Sequence, residues 1–200
     1  MILNTVYLGH PGVKRYAAHP MPQPPKIRAD EVLDHALTLL EEGGEAGVTV
    51  RALAGRLGVT PNALYWHHAD REALLTALAA RGLGELRQTL AHATPSPVHT
   101  LSDLAPVADA YLGFARTRPH LYALITAPRA DASVSADLWA FVLGLLAPHV
   151  GAERAPRVGV AVWAYLHGVA GLEALLHGGK PQEGVDEGLR VLLRGLQGER

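Results

Sequence analysis

Wherever apolar positions recur in this chain, they recur at helical spacing. Val32, Leu33, Ala36, Leu37 and Leu40 fall on one face between Asp30 and Glu42, with Asp30 as the expected N-cap and Gly43-Gly44 as the stop. Thr49 reads as a second N-cap, followed by Val50, Leu53, Ala54 and Leu57 at i, i+3, i+4 and i+7 before Gly58 ends the run. Thr60-Pro61 opens a third, very short helix in the cap-then-proline order that favours helix starts. Asp70 caps a fourth, with Glu72 favourably placed in its first turn, running to about Leu90 through Leu74, Leu75, Leu78, Leu83 and Leu86.

The clearest boundary is Ala93-Thr-Pro-Ser-Pro97. Beyond it the period stays helical, predicting helices over 101–117, 119–126, 133–149, 155–177 and 182–197, punctuated by Pro119, Pro128, Pro148, Pro156 and Pro181. No alternating strand pattern, internal repeat or low-complexity tract interrupts this. The chain therefore reads as all-α, a small N-terminal domain followed by a larger helical bundle. Residues 26–78 form the first domain, 79–96 the rest of the fourth helix and a linker, and 97–200 the second domain.

Residues 1–25 carry Pro11, Pro20, Pro22, Pro24 and Pro25, which argue against a helix. They read as an extended arm or, with Met21 as an alternative start, as a leader over residues 1–20. Lys14, Arg15, Lys26 and Arg28 precede the first acid, so an arm here is either a solvated tail or a basic strand able to touch DNA. It lacks the basic start and apolar core of a secretory signal.

Composition narrows the class. At 48% apolar and 18% charged residues the chain is globular rather than disordered. A formal net charge of −1 gives no overall pull toward nucleic acid or anionic lipid, so any charged surface must be local. Cysteine is absent, which removes disulfides, thiol nucleophiles and thiolate metal sites, and fits a cytoplasmic setting. The longest uncharged apolar runs, Leu138 to Ala152 and Val158 to Leu172, are shorter than the about 20 residues of a membrane span.

The chemistry concentrates around Gly58. Two short helices joined by Gly58-Val59-Thr60 make a helix-turn-helix pattern, whose turn needs a residue tolerant of left-handed geometry. In the second helix only Ala63 and Leu64 read as packing positions, leaving Thr60, Pro61, Asn62, Tyr65, Trp66 and His67 free to face a DNA groove. Between Thr49 and Arg71, the cations Arg51, Arg56 and Arg71 face Asp70 alone, a local basic patch on a neutral chain.

The run from Val48 to Leu75, with Leu-Tyr-Trp-His at 64–67, resembles the DNA-binding domain of the tetracycline-repressor (TetR) family, a likeness covering residues 27–78. The resemblance implies that Thr49 caps the second helix and touches a phosphate, and that Arg51 reads a guanine edge. Pro61, Asn62 and Ala63 would occupy the base-facing start of the recognition helix, and Tyr65, Trp66 and His67 would clamp the backbone. Arg71 stands where the family usually has lysine and would hold a phosphate. His68 departs from the pattern, since an apolar residue is usual there. Trp163-Ala-Tyr-Leu-His-Gly-Val-Ala-Gly-Leu-Glu173 resembles a Trp…His-Gly…Leu-Glu signature of one branch of TetR-like C-terminal domains.

Such a C-terminal domain is expected to dimerise and to bind a small-molecule effector. Gly159, Ala161, Ala164, Gly168 and Gly171 suit close helix approach, either within the chain or between subunits. Val185, Leu189, Leu192, Leu193 and Leu196 form one stripe, predicted to pair with its mate in a symmetric four-helix interface. Tyr111, Phe114, Tyr122, Trp139, Phe141, Trp163 and His167 are the candidate pocket residues, with ordinary core packing as the competing role. The expected protein is thus a homodimeric regulator of double-stranded operator DNA, released by its effector and needing no cofactor. Two other classes compete with this reading. A metal-responsive regulator would use His120, His149, His167 or His177, whose separations show no ligand spacing. A helical enzyme would need a nucleophile elbow, phosphate loop or His-Glu-x-x-His pair, none of which occurs.

Overall fold

The computed structural model describes residues 27–127, 132–175 and 182–197, and among them every regular element is helical. The expected arm at 1–25, together with Pro128, His177 and Pro181, lies outside the described residues. The N-terminal part comprises α1 (Ala29–Gly47), α2 (Val50–Leu57), α3 (Pro61–Leu64) and α4 (Arg71–Ala93). A 3-10 turn (Leu101–Leu104) then leads into α5 (Ala105–Thr117), α6 (Pro119–Thr126), α7 (Ala132–Val150), α8 (Ala155–Leu175) and α9 (Gln182–Gln197).

Two boundaries differ from expectation. Asp30 is not the N-cap of α1: Arg28 holds that position and the helix begins at Ala29, two residues earlier than expected, so the Asp30 carboxylate sits in the first turn and complements the helix dipole instead. Pro148 lies inside the last turn of α7, as the expected span of 133–149 has it. The Gly43-Gly44 break is present as a kink at Gly44 (φ 62°, ψ −168°), after which one more turn carries the chain to Gly47.

α1, α4 and α6 join the two parts. α4 packs against α1 on one side and against α5, α6 and α7 on another, while α6 also lies on α1. Gly82 of α4 makes this possible, since a Cβ there would sit 2.7 Å from Leu121 Cδ1 and 2.8 Å from Ile125 Cγ2 of α6. Val32, Leu40, Leu53, Leu75 and Leu78 continue into Leu101, Leu112 and Leu121 as one apolar core. A chain of ion pairs runs over the same junction. Arg81 joins Asp34 (2.6 Å) to Glu85 (3.2 Å), and Arg118, at the α5–α6 corner, joins Glu85 (3.3 Å) to Glu41 (3.2 Å). The residues that would read DNA and those around the larger domain's interior are therefore mechanically continuous.

Candidate nucleic-acid interface and internal cavity

The helix-turn-helix forms as its sequence dictates. Thr49 Oγ1 accepts from the Ala52 N–H (3.1 Å) and starts α2; Gly58 adopts left-handed geometry (φ 67°) and ends it. Leu53, Ala54 and Leu64 are buried, which fixes α3 against α2. Thr49, Arg51, Thr60, Pro61, Asn62, Tyr65 and Trp66 are exposed, and Ala63 is half-buried. Tyr65 and Trp66 are 51% and 55% exposed, costly placements for large rings unless a partner covers them.

The rings themselves do not lie on α3. The α-helix ends at Leu64, and Tyr65, Trp66 and His67 occupy the turn that follows, closed by the His67 and His68 N–H groups donating to the Leu64 carbonyl at 2.9 and 3.0 Å. Four residues of helix are too few to carry all four rings, so the turn aims them. His68 is half-buried, and its imidazole pKa is pulled below the ordinary value by burial and then by neighbouring His67. Neither His67 Nε2 nor His68 Nε2 has a hydrogen-bond partner, although both atoms are buried.

The charges are arranged differently from the count along the sequence. Arg56 makes a two-pronged contact with Glu42 of α1 (3.1 and 2.6 Å), and this bond holds the Glu42 carboxyl below its usual range. Arg71 donates from Nε to the Val48 carbonyl (2.9 Å) and from Nη2 to the Glu45 carbonyl (2.5 Å), with Glu72 3.4 Å from Nη1. It is a strut between α4 and the α1–α2 junction, a role invisible in the sequence because the partners are backbone atoms 23 and 26 residues away. Among the three arginines, Arg51 alone is left by these contacts to face outward.

A cavity of about 510 Å³ lies among α4, α5, α6, α7, α8 and α9. Of the seven candidate pocket residues, Tyr111, Trp139 and Trp163 line it. Phe114 is core; Phe141 lies beneath the Arg87 guanidinium (5.4 Å to the ring centroid); Tyr122 and His167 stand behind the wall. The remaining lining is mainly aliphatic, including Leu86, Val142, Leu146 and Leu166, residues that sequence reasoning passed over because aliphatic side chains look the same in a core and around a cavity. Behind Tyr111 a polar chain is built: its hydroxyl lies 3.0 Å from the Tyr122 hydroxyl, which lies 2.7 Å from His167 Nδ1, and Trp163 stacks on the His167 ring at 5.4 Å. Burial pushes the Tyr111 phenol far up, so it stays protonated and neutral.

The expected dimer stripe is largely occupied within the chain. Val185, Leu189 and Leu193 are buried, Leu189 and Leu193 line the cavity, and Leu192 and Leu196 are half-buried. Val185, Leu189 and Leu193 are thus committed to the chain's own interior, which leaves Leu192 and Leu196 as the partly open positions of the stripe. Gly159 likewise serves an internal contact, because a Cβ there would sit 2.8 Å from the Trp139 ring. Leu172 and Val191, each more than half exposed, form outward apolar positions of α8 and α9, while the exposed Val160 and Trp163 stand where the cavity meets solvent. Among the described residues no three histidine or carboxylate groups gather as a metal set, and His120, His149 and His167 sit on separate helices. No single described helix is long and apolar enough to cross a membrane.

Residues 32–78 match the family described as bacterial regulatory proteins, tetR family, and residues 104–196 match a tetracyclin repressor-like C-terminal domain. The class A tetracycline repressor from transposon 1721 of Escherichia coli is 50% identical over 60 residues, 30% of this chain but only 28% of that protein. An uncharacterized HTH-type transcriptional regulator of Bacillus subtilis, YobS, is 29% identical over 74% of each chain. Among solved structures, a protein of unknown function from Rhodococcus sp. RHA1 superimposes with a TM-score of 0.73 at 29% identity, over 88% of this chain and 98% of that one. A TetR variant from Acinetobacter baumannii AYE in complex with minocycline gives 0.66 at 25% identity, over 86% and 97%. With residues 32–78 and 104–196 both matched and the fold shared over 88% of the chain, it belongs to the TetR family of transcriptional regulators.

Proposed function

We propose that this protein is a homodimeric, ligand-responsive repressor that binds a palindromic operator and is released from it by a small molecule held in the cavity. The observation carrying this reading is the exposed Tyr65–Trp66 pair beside Arg51 and Asn62, on a module joined through α4 and α6 to the cavity wall. Arg51 reads a guanine edge, Asn62 and Pro61 meet the bases at the start of α3, and Thr49, Tyr65, Trp66 and His67 hold the backbone. One such element reads only a few base pairs. Two copies, about 34 Å apart in a symmetric dimer, supply the affinity a repressor needs. The outward faces of α8 and α9, with Leu172 and Val191, are the surface proposed for pairing.

Release follows from the packing. α6 lies on α1 and α4 and reaches Glu41 through Arg118. A ligand that shifts α6 therefore moves both helices holding the recognition module, and a few ångströms at each half-site weaken both contacts at once. The test is an unbiased selection from double-stranded oligonucleotides, run with sedimentation of the free protein. The expected result is a palindromic site and a dimer at micromolar concentration; a monomer that enriches no palindrome refutes the reading.

A further inference from the structure

The cavity wall is chemically one-sided. Leu83, Leu86, Val142, Leu146, Leu166 and Leu193 are representative of it, and no lining residue is ionisable apart from Tyr111. The nearest ion pair by position, Arg87 with Asp137 (3.0 Å), is outside the lining and self-neutralised. A bound carboxylate or ammonium would lose its hydration and find no counter-charge there. Polar capacity is equally narrow. The Thr126 hydroxyl donates to the Tyr122 carbonyl (2.8 Å) and Ser135 has a partner of its own, while Trp139 adds only its indole N–H. Tyr111 and Trp163, by contrast, both face the cavity while belonging to the Tyr111–Tyr122–His167 cluster, whose inner members are bonded to each other.

We propose that the cavity takes an uncharged, mainly aliphatic small molecule with a single hydrogen-bonding group, and that the Tyr111 hydroxyl reads that group. This deepens, and rests on, the reading of the cavity as the effector site. The size fits: about 510 Å³ falls inside the about 300–1,000 Å³ usual for small-molecule sites, enough for a drug-sized molecule. The cluster gives the contact an orientation. If Tyr122 donates to His167 Nδ1, Tyr111 donates to Tyr122 and offers its oxygen as an acceptor. In the other tautomer Tyr122 donates to Tyr111, whose own proton then points away from the cluster. The Trp163 indole N–H also donates to the Tyr111 hydroxyl oxygen, so either arrangement leaves one hydroxyl valence, a lone pair or the proton, for one ligand group. It also joins α5 to α6 and α8, so the ligand is read by the helices that meet the recognition module. The sequence match to the class A tetracycline repressor covers 30% of this chain, while the minocycline-bound TetR variant shares the fold over 86% of it at 25% identity, so a tetracycline is set directly against the aliphatic probe in the test.

The experiment titrates full-length protein calorimetrically with 1-decanol, decanoate and decylammonium, below their aggregation limits, and with magnesium–tetracycline. The expected result is decanol binding at least about tenfold more tightly than either ion or than magnesium–tetracycline. Tyr111→Phe, a one-atom change, is expected to weaken decanol about three- to tenfold while the helical circular dichroism stays at the parent value. Val142→Trp, which fills the space, is expected to abolish binding. Equal or tighter binding of an ion, no binding of decanol, or no change in Tyr111→Phe overturns the proposal. The same samples are then applied to selected operator DNA. Decanol selectivity without DNA binding keeps this inference and refutes the repressor reading; DNA binding with a preference for an ion does the reverse.

Discussion

The two halves of this molecule handle apolar side chains in opposite ways. In the recognition module the aliphatic residues are sunk in the core, as at Val32, Leu53, Leu64 and Leu75, and the exposed apolar groups are the two rings of Tyr65 and Trp66. In the larger domain α7 and α8 are apolar nearly all round; part of that excess lines an interior space rather than filling it, and part, as at Leu172, is left on the surface. A surface ring in a tightly filled module points to an external partner. Surplus aliphatic surface around a void points to an internal one. Reading and sensing are thus separated by where unsatisfied apolar surface lies, while a continuous core keeps the halves coupled.

That coupling is the first thing to break. Leu75 of α4 is fully buried in the core shared by both halves. Leu75→Ala is expected to lower stability by about 2–5 kcal/mol. Denaturant unfolding followed separately by a probe in each half should give coincident transitions shifted together. Two separated transitions would mean that the halves fold independently and that the coupling is weak.

The second perturbation should separate them. Arg51 faces outward and no bond to its own chain holds it. Arg51→Ala is expected to cost about 1–3 kcal/mol of operator binding, concentrated at one base position. Thermal stability and cavity occupancy should be unchanged. A loss spread evenly over all sequences in a binding-site selection would make Arg51 a phosphate contact.

How much of this was legible in the sequence differs between the halves for a physical reason. Local rules decide local structure. Thr49 and Asp70 cap their helices, and Gly58 takes the left-handed turn. The helix over 119–126 appears where the prolines predicted it. Residue roles set by long-range contacts were not legible. The stripe of Val185, Leu189 and Leu193 is periodic whether it faces a partner or its own chain, and only packing shows that it faces inward. Phe114 and Phe141 are aromatic whether they line a cavity, join the core or carry an arginine. The ion-pair chain through Arg81 and Arg118 spans 77 residues at its longest link, beyond any spacing rule.

Arg71 tests the line between recognition and architecture. A phosphate contact would lower the salt dependence of operator binding by about one unit of slope when removed. The observed bonds to the Val48 and Glu45 carbonyls give a different expectation. Arg71→Ala should lower stability by about 1 kcal/mol, since these are charge-assisted bonds at a partly exposed site. The salt slope should stay at the parent value, and affinity should fall only as far as the α1–α2 junction loosens.

The smallest effect belongs to His68, where the module departs from an apolar position. Burial disfavours the imidazolium, so the folded-state pKa lies below the ordinary 6.5. Below that pH the unfolded chain takes up a proton that the folded protein resists, so stability is lost as pH falls from 6.5 through the lowered folded value. His68→Phe removes both this titration and the buried Nε2 that has no partner. The variant should be more stable by less than about 1 kcal/mol near pH 7.5, because the ring is only half-buried and water screens it. Its advantage should widen toward pH 5.5, measured as the difference in unfolding midpoint. An advantage that stays constant with pH would assign the gain to packing and remove His68 as a source of acid sensitivity in the recognition module.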